Sequence, residues 1–426
     1  MTTASSPSPS PTTMTARPAG LSGLAPVIVA WLFVIFDGYD LIVYGTVQKA
    51  LRAEWHLDAA TAGTIGSLAF LGMMIGALVA GRLSDTIGRK NAIIGSAVVL
   101  SIFTALCAAA PSAPAFGALR LLAGLGLGGL VPTANALAAD LVPPRWRASV
   151  ATLMMSGVPL GGSIAALLGM PVIPQWGWRP MFALALIALV VLVPIAILIL
   201  PSDAPAKGAP HPHSETAAGF KALLRPPYLV ISVLFAVATI VTLMAWYGLG
   251  TWLPNLLQDS GYNLGAALML TLALNLGAIL GSVVTAWAGD RYGPVPTGVV
   301  AAALAGVALL ALLAHPPVGA VYLILVLAGV GTHGTQCLII AAIATYFPDE
   351  LRGTALGWGL GIGRIGAVAA PQVGGWLLAA GLGVGSNYLL FGGCAIISAV
   401  MLVAIWKMFG VTHKDRSARE ASLVAH

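Results

Sequence analysis

The stretch Phe36-Asp37-Gly38-Tyr39-Asp40 lies inside a run, from about Leu24 to Thr46, that is otherwise apolar. A helix of about 20 apolar residues crosses a bilayer, and this run is long enough. A charged carboxylate at the centre of such a helix costs about 2.5–3.5 kcal/mol on insertion scales, and two cost roughly twice that. The cost falls only if the acids face a protein interior or a water-filled cavity, or if they take up protons. Asp37 and Asp40 stand three apart, so they share one helical face. Ionisable residues inside a membrane mark transport paths and proton relays by default, and withdrawal from water favours an uncharged carboxyl. Asp37 and Asp40 are therefore expected to carry protons, against the plainer reading of a structural pair satisfied by neighbouring helices. The rest of the chain has to supply their partners.

Hydrophobic residues make up 58% of the 426 residues and charged residues 8%. Soluble domains carry about a quarter charged residues, so the lipid bilayer is the expected environment. The apolar segments are continuous rather than alternating, which selects helices over the strands of a barrel. The net charge of +6 does not point to nucleic acid, because the basic residues are scattered over short loops. Cys107, Cys337 and Cys394 fall within spans and show no metal or redox spacing, so neither metal nor cofactor is expected. No nucleophile–base pair stands out, which argues against an enzyme. The Ser-, Pro- and Thr-rich start reads as a disordered tail without a removable signal peptide.

The expected architecture is all-α and integral to the membrane: twelve transmembrane helices in two six-helix pseudo-repeats. The boundaries are a cytoplasmic tail 1–22, a six-helix bundle 23–200, a cytoplasmic linker 201–227, a second six-helix bundle 228–409 and a tail 410–426. Loops on the far side from the N-terminus hold only Lys49, Arg52 and Arg179. The other basic residues outside spans lie on the N-terminal side, which places both termini in the cytoplasm. The halves resemble copies of one another. Asp85 and Gly88 recur as Asp290 and Gly293, Pro143 and Arg147 as Pro348 and Arg352, and Gly161 as Gly366, each 205 residues on. Such parallel repeats place a binding site at their interface.

The loop Gly81-Arg82-Leu83-Ser84-Asp85-Thr86-Ile87-Gly88-Arg89-Lys90, echoed at Gly289-Asp290-Arg291-Tyr292-Gly293, resembles the signature of the major facilitator superfamily. The resemblance implies a latch between the halves, with Gly81, Asp85, Gly88, Arg89, Asp140 and Asp290 as gating residues. Arg120, followed by Gly124, Gly126, Gly128 and Gly129, resembles the family's fourth-span motif. An arginine inside a span needs a counter-charge, and Asp37, Asp40 or a bound carboxylate could provide it. Arg364, in Gly361-Ile362-Gly363-Arg364-Ile365-Gly366, has no acid nearby in sequence and is a second candidate to grip a carboxylate. His333 is deep in a span and is a candidate proton relay, or else a neutral histidine bonded to a backbone carbonyl. Tyr247 and Trp358 could offer aromatic faces to a ring, while Trp252 and Trp376 read as interface markers. Gly157-Val158-Pro159-Leu160-Gly161-Gly162 resembles a motif of drug antiporters, and packing or hinging would explain it equally.

Asp37-Gly38-Tyr39-Asp40-Leu41-Ile42-Val43-Tyr44-Gly45, joined to that loop, is similar to the aromatic acid:proton symporter branch, and most of all to its benzoate-transporting members. The branch usually has Glu where Asp140 stands. The resemblance implies proton-coupled import of a benzoate- or hydroxybenzoate-type anion by alternating access. It also implies a monomer in the bacterial plasma membrane whose partners are a small aromatic carboxylate and protons. The alternatives are a proton symporter for a non-aromatic organic acid or metabolite, a drug:proton antiporter, and a non-transporting sensor.

Overall fold

The computed structural model describes residues 24–202 and 219–410. The expected tail 1–22, residues 411–426 of the other tail and residues 203–218 of the linker lie outside the described residues. Six helices come first: α1 (Ala25–Trp55), α2 (Ala59–Ile87), α3 (Arg89–Cys107), α4 (Ala113–Asp140), α5 (Arg147–Trp176) and α6 (Arg179–Ile199). Six more follow: α7 (Leu229–Asp259), α8 (Leu264–Tyr292), α9 (Pro294–Ala311), α10 (Val318–Tyr346), α11 (Asp349–Ala379) and α12 (Val384–Phe409). By length and composition, 11 of them qualify as membrane spans. The exception among the twelve expected is α11. Its charged first turn, its eight glycines, Arg364 and Gln372 dilute its apolar content.

Local chemistry sets the helix ends, and it repeats between the halves. The Asp58 carboxylate caps α2 by accepting from the Thr61 N–H at 2.8 Å. Asn263, 205 residues on, caps α8 by accepting from the Ala266 N–H at 2.8 Å. A short polar side chain at this position satisfies one of the orphan donors of a helix start. Gly88 (φ 83°) joins α2 directly to α3, and Gly293 (φ 93°) joins α8 to α9. A side chain at either glycine would be strained in that left-handed region. The signature loop is thus a one-residue turn between two helices, and its copy is the same turn.

Packing repeats as well. Gly72 and Gly124 bring the backbones of α2 and α4 together, and Gly277 and Gly329 do the same for α8 and α10. A Cβ at Gly72 would overlap Leu121 O, and one at Gly277 would overlap Val326 O. Small residues are what allow such approach where lipid supplies no hydrophobic drive between helices. Large apolar side chains such as Leu78, Leu198 and Val300 stay exposed, as expected of a bilayer-facing surface. The span of α1 is the most enclosed and that of α6 the least. The halves meet through α1 with α7, α2 with α11, and α5 with α8. Asp37 and Asp40 are therefore carried on an interior helix of that seam.

Candidate transport site

Gly38 places the two acids. A Cβ there would run into the Val158 backbone, so α1 and α5 cross in contact at the turn that carries Asp37 and Asp40. Side chains on the two sides of this turn meet different partners.

Asp40 points into the first bundle, where Arg120 of α4 grips it. Arg120 Nη1 donates to Asp40 Oδ1 at 2.9 Å and to Oδ2 at 2.8 Å, and Nη2 donates to the Asp40 carbonyl at 3.1 Å. The Thr104 hydroxyl of α3 donates to Oδ1 at 2.6 Å. Phe182 of α6 lies 5.9 Å from the guanidinium carbon. Both charged side chains are almost wholly withdrawn from solvent, at 2% and 0% exposure. Of the three counter-charges open to Arg120, the structure pairs it with Asp40, inside one bundle. A closed pair of this kind specifies how α1, α3 and α4 pack, and breaking it leaves a buried charge.

Asp37 faces the seam instead. It is 2% exposed, and its Oδ1 is buried without a hydrogen-bond partner. The charges that act on it are those of Arg364 and Asp40. Arg364 of α11 is half-buried and makes no ion pair among the described residues. Its Nη1 donates to the Met73 sulfur of α2 at 3.0 Å and to the Tyr247 hydroxyl of α7 at 3.5 Å. Tyr247 packs against Phe70 of α2, with ring centroids 4.8 Å apart. Four helices, two from each half, thus bring together a buried acid, a cation without an ion pair among the described residues, and a packed aromatic pair. The arrangement can take an anion at Arg364 and a proton at Asp37.

His333 joins the seam elsewhere. Its Nε2–H donates across the halves to the Met155 carbonyl of α5 at 3.1 Å, and its ring lies 5.1 Å from that of Trp246. This is the plainer of the two readings offered for it. Trp358 is not brought to Arg364. Its Nε1–H donates to the Ser232 carbonyl at 3.2 Å, and its ring packs on Phe220, which corrects its assignment to substrate. Trp252 is also no interface marker, being fully buried with its Nε1–H donating to Pro371 O at 3.0 Å. Trp376 is 58% exposed, as an interface residue should be. The glycines of Gly157–Gly162 pack α5 against α1 and Asn275 of α8, so helix contact accounts for them.

The gating residues divide. Arg89 pairs with Asp140 between the start of α3 and the end of α4, within one half. Gly81 has open space beside it, and Gly88 forms the turn described above. Asp85 is in the last helical turns of α2, and Asp290 is exposed near the end of α8. Beyond the His333–Met155 and Arg364–Met73 contacts, further bonds between the halves lie at the opposite end. There Lys49 pairs with Asp259 at 2.8 Å, Asn255 donates to Gln48 at 3.2 Å, Thr64 to Gln372 at 2.8 Å, and Ser67 to Val368 O at 2.7 Å. At the end nearer the termini, no described residue lies against Gly353, Gly357 or Gly361 of α11. Among the described residues, these four bonds tie the two halves at the end away from the termini.

Sequence reasoning missed Thr104, Met73, Phe70, Gln48 and Asn255. Gln48 and Asn255 carried a signal, being amides within apolar runs. Met73 and Phe70 carried none, since nothing in sequence separates a methionine or phenylalanine packed on the seam from one packed elsewhere in a bundle.

The sequence model of the Major Facilitator Superfamily matches residues 30–280 and 235–424. A gentisate transporter from Corynebacterium glutamicum is 62% identical over 407 residues, spanning 93% of this chain and 91% of that protein. A benzoate transport protein from Acinetobacter baylyi is 33% identical over 414 residues, spanning 89% and 88%. A solved D-xylose-proton symporter shares the fold with a TM-score of 0.73 at 16% identity, covering 89% of this chain and 97% of that one. The relatives are transporters rather than enzymes. Two helical halves repeating at 205 residues, a polar cluster on their seam and a family match across both halves agree: the chain belongs to the major facilitator superfamily.

Proposed function

We propose that this protein imports an aromatic carboxylate together with protons, by alternating access, across the bacterial plasma membrane. The observation that carries the reading is Arg364: a guanidinium on the seam, without an acid partner among the described residues, whose charge acts on a buried Asp37 with an unpaired Oδ1. A guanidinium grips a carboxylate through two parallel hydrogen bonds, and Tyr247, whose hydroxyl lies 3.5 Å from Nη1, is an aromatic side chain beside it. The names of the relatives favour gentisate-like and benzoate-like acids, with the hydroxylated class preferred from the 62% identical one.

Asp37 takes a proton from outside, and the anion docks on Arg364. Each neutralises a charge that would otherwise be trapped, so the loaded site can close and reopen inward. Loss of the proton to the cytoplasm restores the Asp37 charge and expels the anion. With the basic loops inside, the end of the seam tied by Lys49–Asp259, Gln48–Asn255 and Thr64–Gln372 faces out, which supports an inward-facing arrangement. One proton per monovalent anion is electroneutral and draws only on the pH gradient. Each further proton would add about 2.3 kcal/mol per 100 mV of membrane potential. Asp40 and Arg120 stay paired and hold the first bundle together.

The test is uptake of labelled gentisate and benzoate into vesicles, with and without a protonophore. Accumulation that the protonophore abolishes is expected. Accumulation that survives it would refute proton coupling, and no transport of either acid would refute the substrate class.

A further inference from the structure

We propose that Met73 is a positioning residue for the carboxylate anchor: its sulfur holds one corner of the Arg364 guanidinium so that the opposite edge faces the cargo. The inference rests on the transport reading above. Arg364 uses a single nitrogen, Nη1, for both of its polar contacts, to the Met73 sulfur at 3.0 Å and the Tyr247 hydroxyl at 3.5 Å. Its Nη2 and Nε make no hydrogen bond among the described residues, and neither is enclosed as a buried unpaired atom. Those two nitrogens form the edge of the fork that meets both oxygens of a carboxylate at once.

A thioether suits this task because it is a weak and uncharged acceptor. A carboxylate in its place would neutralise Arg364 permanently and exclude the cargo, as Asp40 does with Arg120 inside the first bundle. An aliphatic side chain would leave the guanidinium free to turn. Met73 is 2% exposed and packed in the core of its bundle, so its sulfur is a fixed point. It belongs to α2 while Arg364 belongs to α11, so one half of the transporter orients the anion site of the other. Release of that hold, when the halves rock, would misalign the fork, which links affinity to the conformational state.

The test compares Met73→Leu and Met73→Gln in uptake assays on the full chain, with gentisate and with benzoate. Leu keeps the volume and removes the acceptor; Gln restores one. Loss of one hydrogen bond corresponds to about a three- to tenfold rise in KM. In M73L this rise should be equal for both acids, because both present the same carboxylate, with Vmax per molecule in the membrane unchanged. M73Q should stay near wild type. In an Arg364→Ala background the Leu substitution should add nothing further. An unchanged KM in M73L, a loss confined to Vmax, or an equal further loss in the Arg364→Ala background would overturn the Met73 role alone. A wild type that carries neither acid would overturn the transport reading, and the Met73 role with it.

Discussion

Asp40→Ala should destabilise the protein strongly while Arg364→Ala should not, and the contrast follows from how each arginine is held. Arg120 gives three hydrogen bonds to Asp40, at 2.8–3.1 Å, with both partners almost fully buried. Removing the acid strands a guanidinium in the bundle at a cost of about 3–5 kcal/mol. Thr104→Val removes one hydrogen bond of 2.6 Å and should cost about 1.5–3 kcal/mol, the range for bonds to charged groups. The double change Asp40→Leu with Arg120→Met replaces the pair by apolar volume and should recover most of the loss, because both desolvation costs disappear together. Arg364 is only half-buried and pairs with no acid among the described residues, so its removal should leave stability nearly unchanged. The assay is thermal unfolding of purified protein in detergent, followed by tryptophan fluorescence. An Asp40→Ala variant as stable as wild type, with a raised KM for cargo, would show that Arg120 is free to bind substrate and refute the assignment.

Further outcomes follow from the same contacts. Arg364→Lys keeps the charge but loses the two-pronged grip, so KM for gentisate should rise about tenfold or more in initial-rate uptake. Gly38→Ala puts a methyl group into the Val158 backbone, and the yield of folded protein on size-exclusion chromatography should fall sharply. Asn255 and Gln48 share one hydrogen bond, and Gln48 Nε2 and Asn255 Oδ1 are left unpaired. Replacing both by Leu should therefore favour the latched arrangement, while Asn255→Leu alone should weaken it. Labelling of single cysteines placed along the terminus-side end of the seam by a membrane-permeant thiol reagent would read the shift.

The fold was legible because the chain states it twice. Apolar runs gave the helices, and a 205-residue offset gave the two halves; the caps Asp58 and Asn263 and the turns Gly88 and Gly293 carry that offset into the structure. Only α11 was at odds with a count by composition, because its interior position permits glycines and Arg364 where a lipid-facing span would not. The site was legible in part. Charged residues inside spans are few, so Asp37, Asp40, Arg120 and Arg364 stood out. Which acid takes which arginine did not, since Asp40 and Arg120 are 80 residues apart and meet only through helix rotation. Gly38 is the deciding detail: it fixes the α1–α5 crossing and so turns Asp40 inward and Asp37 to the seam. Trp358 was misassigned because depth in a span says nothing of the direction a ring faces.

The central claim is that Asp37 is where proton movement is tied to cargo movement. The direct measurement compares wild type and Asp37→Asn in proteoliposomes with an imposed pH gradient, scoring gradient-driven accumulation of gentisate beside exchange of labelled for unlabelled gentisate at equal pH. Wild type should do both, while Asp37→Asn should keep exchange, with its site permanently neutral, and lose accumulation. Asp37→Asn protein that concentrates gentisate against its gradient as wild type does would contradict the claim.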